Sequence, residues 1–352
     1  MADEAEILFE RRGAAGIVTL NRPKALNAVT LDMVHALRAQ LDEWANDPAV
    51  TRVVIAAAGE RAFSAGGDIR ALYDLGKAGR HTEALRFWRD EYPLNAAIKN
   101  YRKPYVSLID GIVMGGGVGI SVHGSHRVAF DRFSFAMPEV SIGFFPDVGA
   151  TWFLPRMPGE IGTYCALTGE RLAAGDGVAA GIATHRVASA RFPELLEALC
   201  SAVSADALLG AFGQPAEPGP VMARRAAIDR LFRGREVEDI LAALDAEGAA
   251  GGAEAQFASA TAALMRTKSP SSLKITREQM RRGASLDFAE CMRTEFRIVS
   301  RIVRGHDLYE GIRAVIIDKD QEPRWQPSTL AGVSAEEVER HFSPLAHELE
   351  LP

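Results

Sequence analysis

MetGlyGlyGlyValGly at Met114–Gly119 is the stretch whose reading decides the fold. Before it runs Tyr105–Ile109, an apolar β-rich segment; after it, from about Val118, the chain reads as a helix. Three successive glycines cost backbone entropy and add no packing, so they belong where backbone must approach something closely or where φ must be positive. Free N–H groups at the start of a helix favour negative charge. Where that charge exists only in a transition state, such a loop is half of an oxyanion hole. Taken alone, the run also fits a plain tight turn. It is not a dinucleotide fingerprint, because Ile120 stands where the last glycine of GxGxxG belongs.

Outward from the run the same unit recurs. Ala15–Leu20 reads as a strand ending at the turn Asn21–Pro23. Thr30 can cap a helix in which Val34, Leu37, Leu41 and Trp44 recur at helical spacing, and Asn46–Pro48 stops it. Val53–Ala57 reads as a buried strand, followed by the loop Gly59–Asp68 and a helix from about Ile69. Arg127–Phe130 and Ile182–Val187 are further strand candidates. Strands alternating with helices predict an α/β layered fold. From about Ala205 the character changes. Ile228–Phe232 and Val237–Leu244 are amphipathic helical patterns, and Ala216–Gly219 and Glu247–Ala255 read as loop or linker. The expected division is an α/β core over residues 1–204, carrying the site, and a mainly helical region over 205–352.

The 352 residues are 47% hydrophobic and 24% charged, enough for a large core. A net charge of −6 and a pI near 5.8 argue against nucleic acid as the main partner. No apolar stretch reaches the length of a membrane span. Cys165, Cys200 and Cys291 are odd in number and widely spaced, which predicts reduced, buried thiols and no structural zinc. The acidic start Met1–Glu6 shows no cationic apolar leader, so a soluble cytoplasmic protein is expected.

A second glycine loop, SerAlaGlyGlyAspIleArg at Ser64–Arg70, also lies between a strand and a helix. In a layered fold both loops can meet at one end of a sheet, with the amides of Gly67 and Gly116 aimed at one oxygen. A third element, Ala136–Gly149, places Glu139 and Asp147 on either side of an apolar stretch. Each has a plainer reading. Asp147 fits an N-cap of Val148–Leu154, Glu139 a solvated turn, Glu91 an exposed helix face, Asp68 a local cap, and Lys24 a solvated lysine. His123, on an apolar face, reads as a hydrogen-bonded core residue, and Ser121 lacks a nucleophile elbow.

Phe63–Arg70, Met114–Gly119 and ProGlu at Pro138–Glu139 followed by Phe145–Gly149 resemble the enoyl-CoA hydratase/isomerase (crotonase) superfamily, and Asn21–Ala28 resembles its CoA-binding segment. Asp90–Tyr92, Met114–Gly124, Phe144–Gly149, Gly181–His185, Ser269–Thr276 and Gly305–Asp320 with Pro323–Trp325 bring the chain closer to the branch of 3-hydroxyisobutyryl-CoA hydrolases. The likeness runs from about residue 7 to 335.

The resemblance implies a crotonase-like ββα spiral core with a mainly helical C-terminal region that completes or covers the site. It implies hydrolysis of 3-hydroxyisobutyryl-CoA, or a similar short 3-hydroxyacyl-CoA, in valine breakdown. In the roles it implies, Gly67 and Gly116 hold the carbonyl oxygen, and Glu139 activates water or attacks the carbonyl. Asp147 orients water or the substrate hydroxyl, and Glu91 contacts the acyl end. Lys24 and the loop residues Ala65, Gly66, Asp68, Ile69 and Gly115 would hold the CoA ester. No metal or cofactor is expected, coenzyme A being part of the substrate, and family members often assemble as homotrimers. Typical hydratases carry a glutamate at the position of Gly119, which puts hydration in doubt. An enoyl-CoA hydratase or isomerase, and a non-catalytic CoA-ester-binding subunit, stay open as alternatives.

Overall fold

Ten strands form two sheets in the computed structural model, which describes residues 5–352; the first four residues of the acidic start lie outside the described residues. They are β1 (Ile7–Arg12), β2 (Ala15–Leu20), β3 (Arg52–Ala57), β4 (Ala62–Ser64), β5 (Tyr105–Ile109), β6 (Ile112–Met114), β7 (His126–Ala129), β8 (Ser134–Ala136), β9 (Leu172–Ala173) and β10 (His185–Arg186). The larger sheet has the order β1-β2-β3-β5-β7-β10, antiparallel at β1/β2 and parallel beyond. Its inner strands β2, β3, β5 and β7 are buried on both faces, as a parallel sheet requires, while the edge strand β1 is largely open to solvent. Val18, Leu20, Val53, Ile55 and Ile109 join the main core, while Ile17, Val54, Val106, Leu108 and Val128 pack on Leu195, Leu199 and Leu209. That split follows from side chains alternating along each strand.

The smaller sheet, β4-β6-β8-β9, positions the site. Each turn of the spiral delivers one strand to the large sheet and the next to the small one: β3 then β4, β5 then β6, β7 then β8. A helical segment follows each pair, at Ile69–Lys77, Gly116–Gly119 and Glu139–Ile142. Because β4, β6 and β8 are mutually parallel neighbours, the loops leaving their C-terminal ends lie side by side. This is the expected crotonase-like ββα spiral.

Thr30 caps Leu31–Asn46 by accepting from the Met33 amide, and Val34, Leu37, Leu41 and Trp44 are buried as their spacing predicts. Beyond residue 205 the chain is mainly helical, ending with Pro270–Gly283, Phe288–Ile302, Asp307–Ile312 and Ala335–Phe342. The main core runs without a break across that position, joining Tyr92 and Val140 to Leu273, Met292 and Phe296. Among the described residues no helix is long and apolar enough to cross a membrane. The three cysteines are free and buried.

Three expectations change. The helix after the glycines is a single turn, Gly116–Gly119, starting earlier than Val118. Ile182–Val187 shrinks to the two-residue strand His185–Arg186. Glu247–Ala250 is not linker but the last turn of the helix Val237–Ala250; alanines sustain it until Gly251, at φ +70°, ends it.

Candidate active site

The three convergent loops enclose a cavity of about 300 Å³. Ala65, Gly66, Gly67 and Ile69 line it from the loop after β4; Met114, Gly115 and Gly116 from the loop after β6; Pro138, Glu139, Ser141 and Ile142 from the turn after β8. Phe87, Trp88 and Glu91 come from the helix His81–Lys99, and Phe144 and Asp147 from the loop beyond Ile142. Val315 and Ile316 close it from the π-helical turn Arg313–Ile317. No Lys, Arg or His is part of this lining among the described residues.

Gly67 and Gly116 are adjacent: a Cβ on Gly116 would stand 3.3 Å from the Gly67 amide nitrogen. Among the described residues neither amide donates a hydrogen bond within the protein. The first turn of any helix leaves such donors free. Gly67 is freed differently: its neighbours Gly66 and Asp68 bond with Val29, through the Val29 amide to the Gly66 carbonyl and the Asp68 amide to the Val29 carbonyl. Gly66 at φ +117° and Gly115 at φ +45° make these turns, conformations that disfavour L side chains. Carboxyls crowd the same spot. A Cβ on Gly115 would lie 3.5 Å from Glu139 Oε1, and one on Gly116 would lie 2.7 Å from Glu91 Oε1.

Four acids are buried in and behind the cavity: Glu91, Glu139, Asp147 and Glu295. Burial raises Glu91 and Glu139 well above the usual carboxylate range, reinforced by the charge of Asp147. Burial pushes Asp147 up to about 7, with hydrogen bonding from Tyr92 and Trp88 pulling it down; the Tyr92 hydroxyl donates to Oδ2 at 2.9 Å. Burial pushes Glu295 up to about 8, offset in part by two backbone amides, Gly149 at 2.8 Å and Thr151 at 2.9 Å. Glu139 Oε2 and Glu91 Oε1 have no partner among the described residues. A buried carboxyl left without a donor holds its proton or meets a ligand.

These acids set a pH dependence of stability. Each binds its proton more tightly folded than unfolded, so each contributes stability that is lost as pH rises from its unfolded pKa through its folded one. His123, pushed down to about 4 by burial, works in the opposite sense, but only below its unfolded value of about 6.5. Between pH 6.5 and about 8 the acids act unopposed by histidine. The thermal midpoint is therefore expected to fall as pH rises through that window. Differential scanning calorimetry in buffers of matched ionic strength checks it, and a rising midpoint contradicts the assignment.

Most of the expected site residues meet here. Gly67, Gly116, Glu139, Asp147, Glu91, Ala65, Gly66, Ile69 and Gly115 all line the cavity. Glu91 is not on an exposed face: it is 1% exposed. Asp147 does not cap the following helix with its side chain, which goes to Tyr92. Two residues stand outside the lining. Asp68 caps Ile69–Lys77 through Ala71 and pairs with Arg22 at 3.0 Å. Lys24 is exposed on the turn Pro23–Ala25, and its neighbour Arg22 is held by Glu6, Asp68 and the Ala28 carbonyl rather than free for a phosphate. His123 is the buried residue expected, its Nε2 bonded to the Val148 carbonyl at 2.7 Å.

Sequence reasoning missed Glu295, Tyr92 as the Asp147 donor, and the turn Arg313–Ile317. Glu91 and Glu295 did carry a signal. Each sits on the apolar stripe of its helix, Glu91 with Phe87, Trp88 and Leu94, Glu295 with Met292, Phe296 and Val299. An acid on such a stripe is buried by the same packing that buries its neighbours.

A family model described as enoyl-CoA hydratase/isomerase matches residues 15–342. Curated relatives named 3-hydroxyisobutyryl-CoA hydrolase, mitochondrial, include that of Danio rerio, 46% identical over 97% of this chain and 90% of its own length. That of Homo sapiens is 41% identical over 97% and 89%. Among solved structures, one named carnitinyl-CoA dehydratase from Mycobacterium thermoresistibile superposes with a TM-score of 0.93 at 43% identity, covering 99% of both chains. One named enoyl-CoA hydratase from Rhodobacter sphaeroides gives 0.91 at 40%, covering 99% and 100%. The relatives' mitochondrial names overturn the cytoplasmic expectation, since compartment is set by a removable address and not by the fold. By the match over nearly its whole length, the chain belongs to the enoyl-CoA hydratase/isomerase family.

Proposed function

We propose that this chain hydrolyses the thioester of 3-hydroxyisobutyryl-CoA, or a similar short 3-hydroxyacyl-CoA, to the free hydroxy acid and CoA, a step of valine breakdown. The observation that carries this reading is Glu139: a buried carboxyl with an unpaired oxygen, in one cavity with the two free amides of Gly67 and Gly116. The names of the curated relatives support it.

In this reading the Gly67 and Gly116 amides donate to the thioester oxygen as it becomes an oxyanion, each worth about 3 kcal/mol in the transition state. Glu139 takes a proton from a water as that water bonds to the carbonyl carbon. The tetrahedral intermediate then collapses, the C–S bond breaks, and the departing sulfur receives the proton. Direct attack by Glu139, giving a mixed anhydride that water hydrolyses, reaches the same products. Asp147, poised near neutrality and oriented by Tyr92, holds the water or the substrate hydroxyl. Glu91 bounds the acyl end, with Trp88 stacked on Phe144 at 5.7 Å beside it. Ala65, Gly66, Gly115 and Ile69 form the cleft for the CoA arm, while Lys24 and Asp68 stand outside it, Lys24 free to meet the nucleotide end.

Hydration is the second reading, favoured by the names of the two solved neighbours. Gly119 weighs against it. A Cβ there would lie 2.7 Å from Asn95 Nδ2 and 2.8 Å from Val148 Cβ, so the place of a second catalytic glutamate is filled. Gly119→Ala is expected to destabilise the fold by about 1–3 kcal/mol through overpacking, read from the denaturant midpoint. Gly119→Glu is expected to gain no hydration of crotonyl-CoA.

A thiol-release assay over 3-hydroxyisobutyryl-CoA, 3-hydroxypropionyl-CoA and crotonyl-CoA tests the function. Release from a hydroxyacyl ester supports hydrolysis. Loss of enoyl absorbance without thiol would favour hydration, and binding without either would leave a CoA-ester-binding subunit.

A further inference from the structure

The C-terminal helices reach the site through its backbone. Asp147 is followed by Val148 at φ +53° and Gly149 at φ +91°. A β-branched residue in the left-handed region is strained, and persists only where its surroundings hold it. Four side chains from three other helices and from the segment after the glycine run grip this turn. Tyr92 donates to Asp147, and His123 Nε2 bonds the Val148 carbonyl. Gln279, on Pro270–Gly283, donates to the Pro146 carbonyl at 2.5 Å and to Thr151 Oγ1 at 2.8 Å. Glu295, on Phe288–Ile302, accepts from the amides of Gly149 and Thr151 with its two oxygens separately. Glu295 is fully buried, and among the described residues it has no basic partner. An ion-free core acid is costly, and an apolar residue would fill the space at less cost. It earns its place only through what it bonds.

We propose that Glu295 is a positioning residue for the reaction: it clamps the left-handed turn Val148–Gly149 from the C-terminal side and so fixes where the Asp147 carboxyl stands. The proposal deepens the hydrolase reading and rests on it for its kinetic arm. The groups facing Glu295 are Asp147 in the loop, Glu91 and Tyr92 on His81–Lys99, and Cys291 on its own helix. Glu91, Tyr92 and Cys291 are also raised by burial, and burial pushes Asp147 up to about 7.

The test uses the full chain with Glu295→Gln, which keeps the size but can accept from only one of the two amides, and Glu295→Ala, which accepts from neither. Wild-type turnover is measured first. Misplacement of the carboxyl by about an ångström is expected to lower kcat by about 10²-fold, with KM held within about twofold because ground-state binding is untouched. The midpoint of the kcat–pH profile is expected to move, and hydrogen exchange at the Gly149 and Thr151 amides to quicken. A folded Glu295→Gln enzyme with wild-type kcat and pH profile, and only a lower melting temperature, overturns the proposal. If wild type releases no thiol from any ester, the hydrolase reading fails by itself. Amide exchange then decides the clamp without turnover: unchanged protection at Gly149 and Thr151 in Glu295→Gln overturns it.

Discussion

Glu139→Gln is expected to lower thiol release from a 3-hydroxyacyl-CoA by about 10³-fold or more, with CoA-ester binding retained. The glutamine keeps the shape of the side chain but cannot accept a proton at working pH or form an anhydride. Its neighbours tolerate the change. Glu139 Oε2 has no partner to lose, and glutamine removes the cost of carrying an ionisable carboxyl in a buried place beside Asp147. The variant should therefore be as stable as wild type or more so. Rapid-quench measurement of the single-turnover rate, together with calorimetric titration of a non-hydrolysable ester, checks both halves. Turnover at the wild-type rate would remove Glu139 from the chemistry.

Gly116→Ala is expected to lower kcat by about 10²–10³-fold, as large a loss as that of one oxyanion donor, because the methyl keeps the oxygen from the donors although both N–H groups remain. The added methyl meets Glu91 Oε1 at 2.7 Å and the Gly67 nitrogen at 3.3 Å. Glu91 is a long side chain and can withdraw, so the chain should still fold. The methyl then stands beside both amides, in the space the thioester oxygen needs. Circular dichroism confirms folding and steady-state kinetics measures the loss. A folded Gly116→Ala enzyme with full activity would mean that the oxygen is held elsewhere.

Much of this site can be read from the chain because its chemistry sits in short local motifs. Gly66–Gly67 and Gly115–Gly116 announce close backbone approach, and Glu139 and Asp147 bracket a turn. That they converge could only be supposed. The strands that bring them together, β4, β6 and β8, have three residues each, too few to show a periodicity. The burial of Glu91 and Glu295 was legible in principle, since each occupies a helical stripe position held otherwise by apolar residues. The pairing of Glu295 with Gly149 was not, because the two are separated by 146 residues. Local pattern likewise said nothing of Val315 and Ile316, which reach the cavity only through tertiary packing. The role given to Lys24 came from resemblance alone, and packing leaves that residue exposed outside the lining.

The chamber's lopsided polarity bears on how a catalytic cycle ends. An uncharged acyl group enters a pocket walled by acids and aromatics without repulsion. Cleavage turns it into an anion in that same low-dielectric space, where no lining cation among the described residues greets it. The newborn acid is thus an unwelcome guest, ejected by the walls that admitted its precursor, and resynthesis of the ester is opposed by the same force.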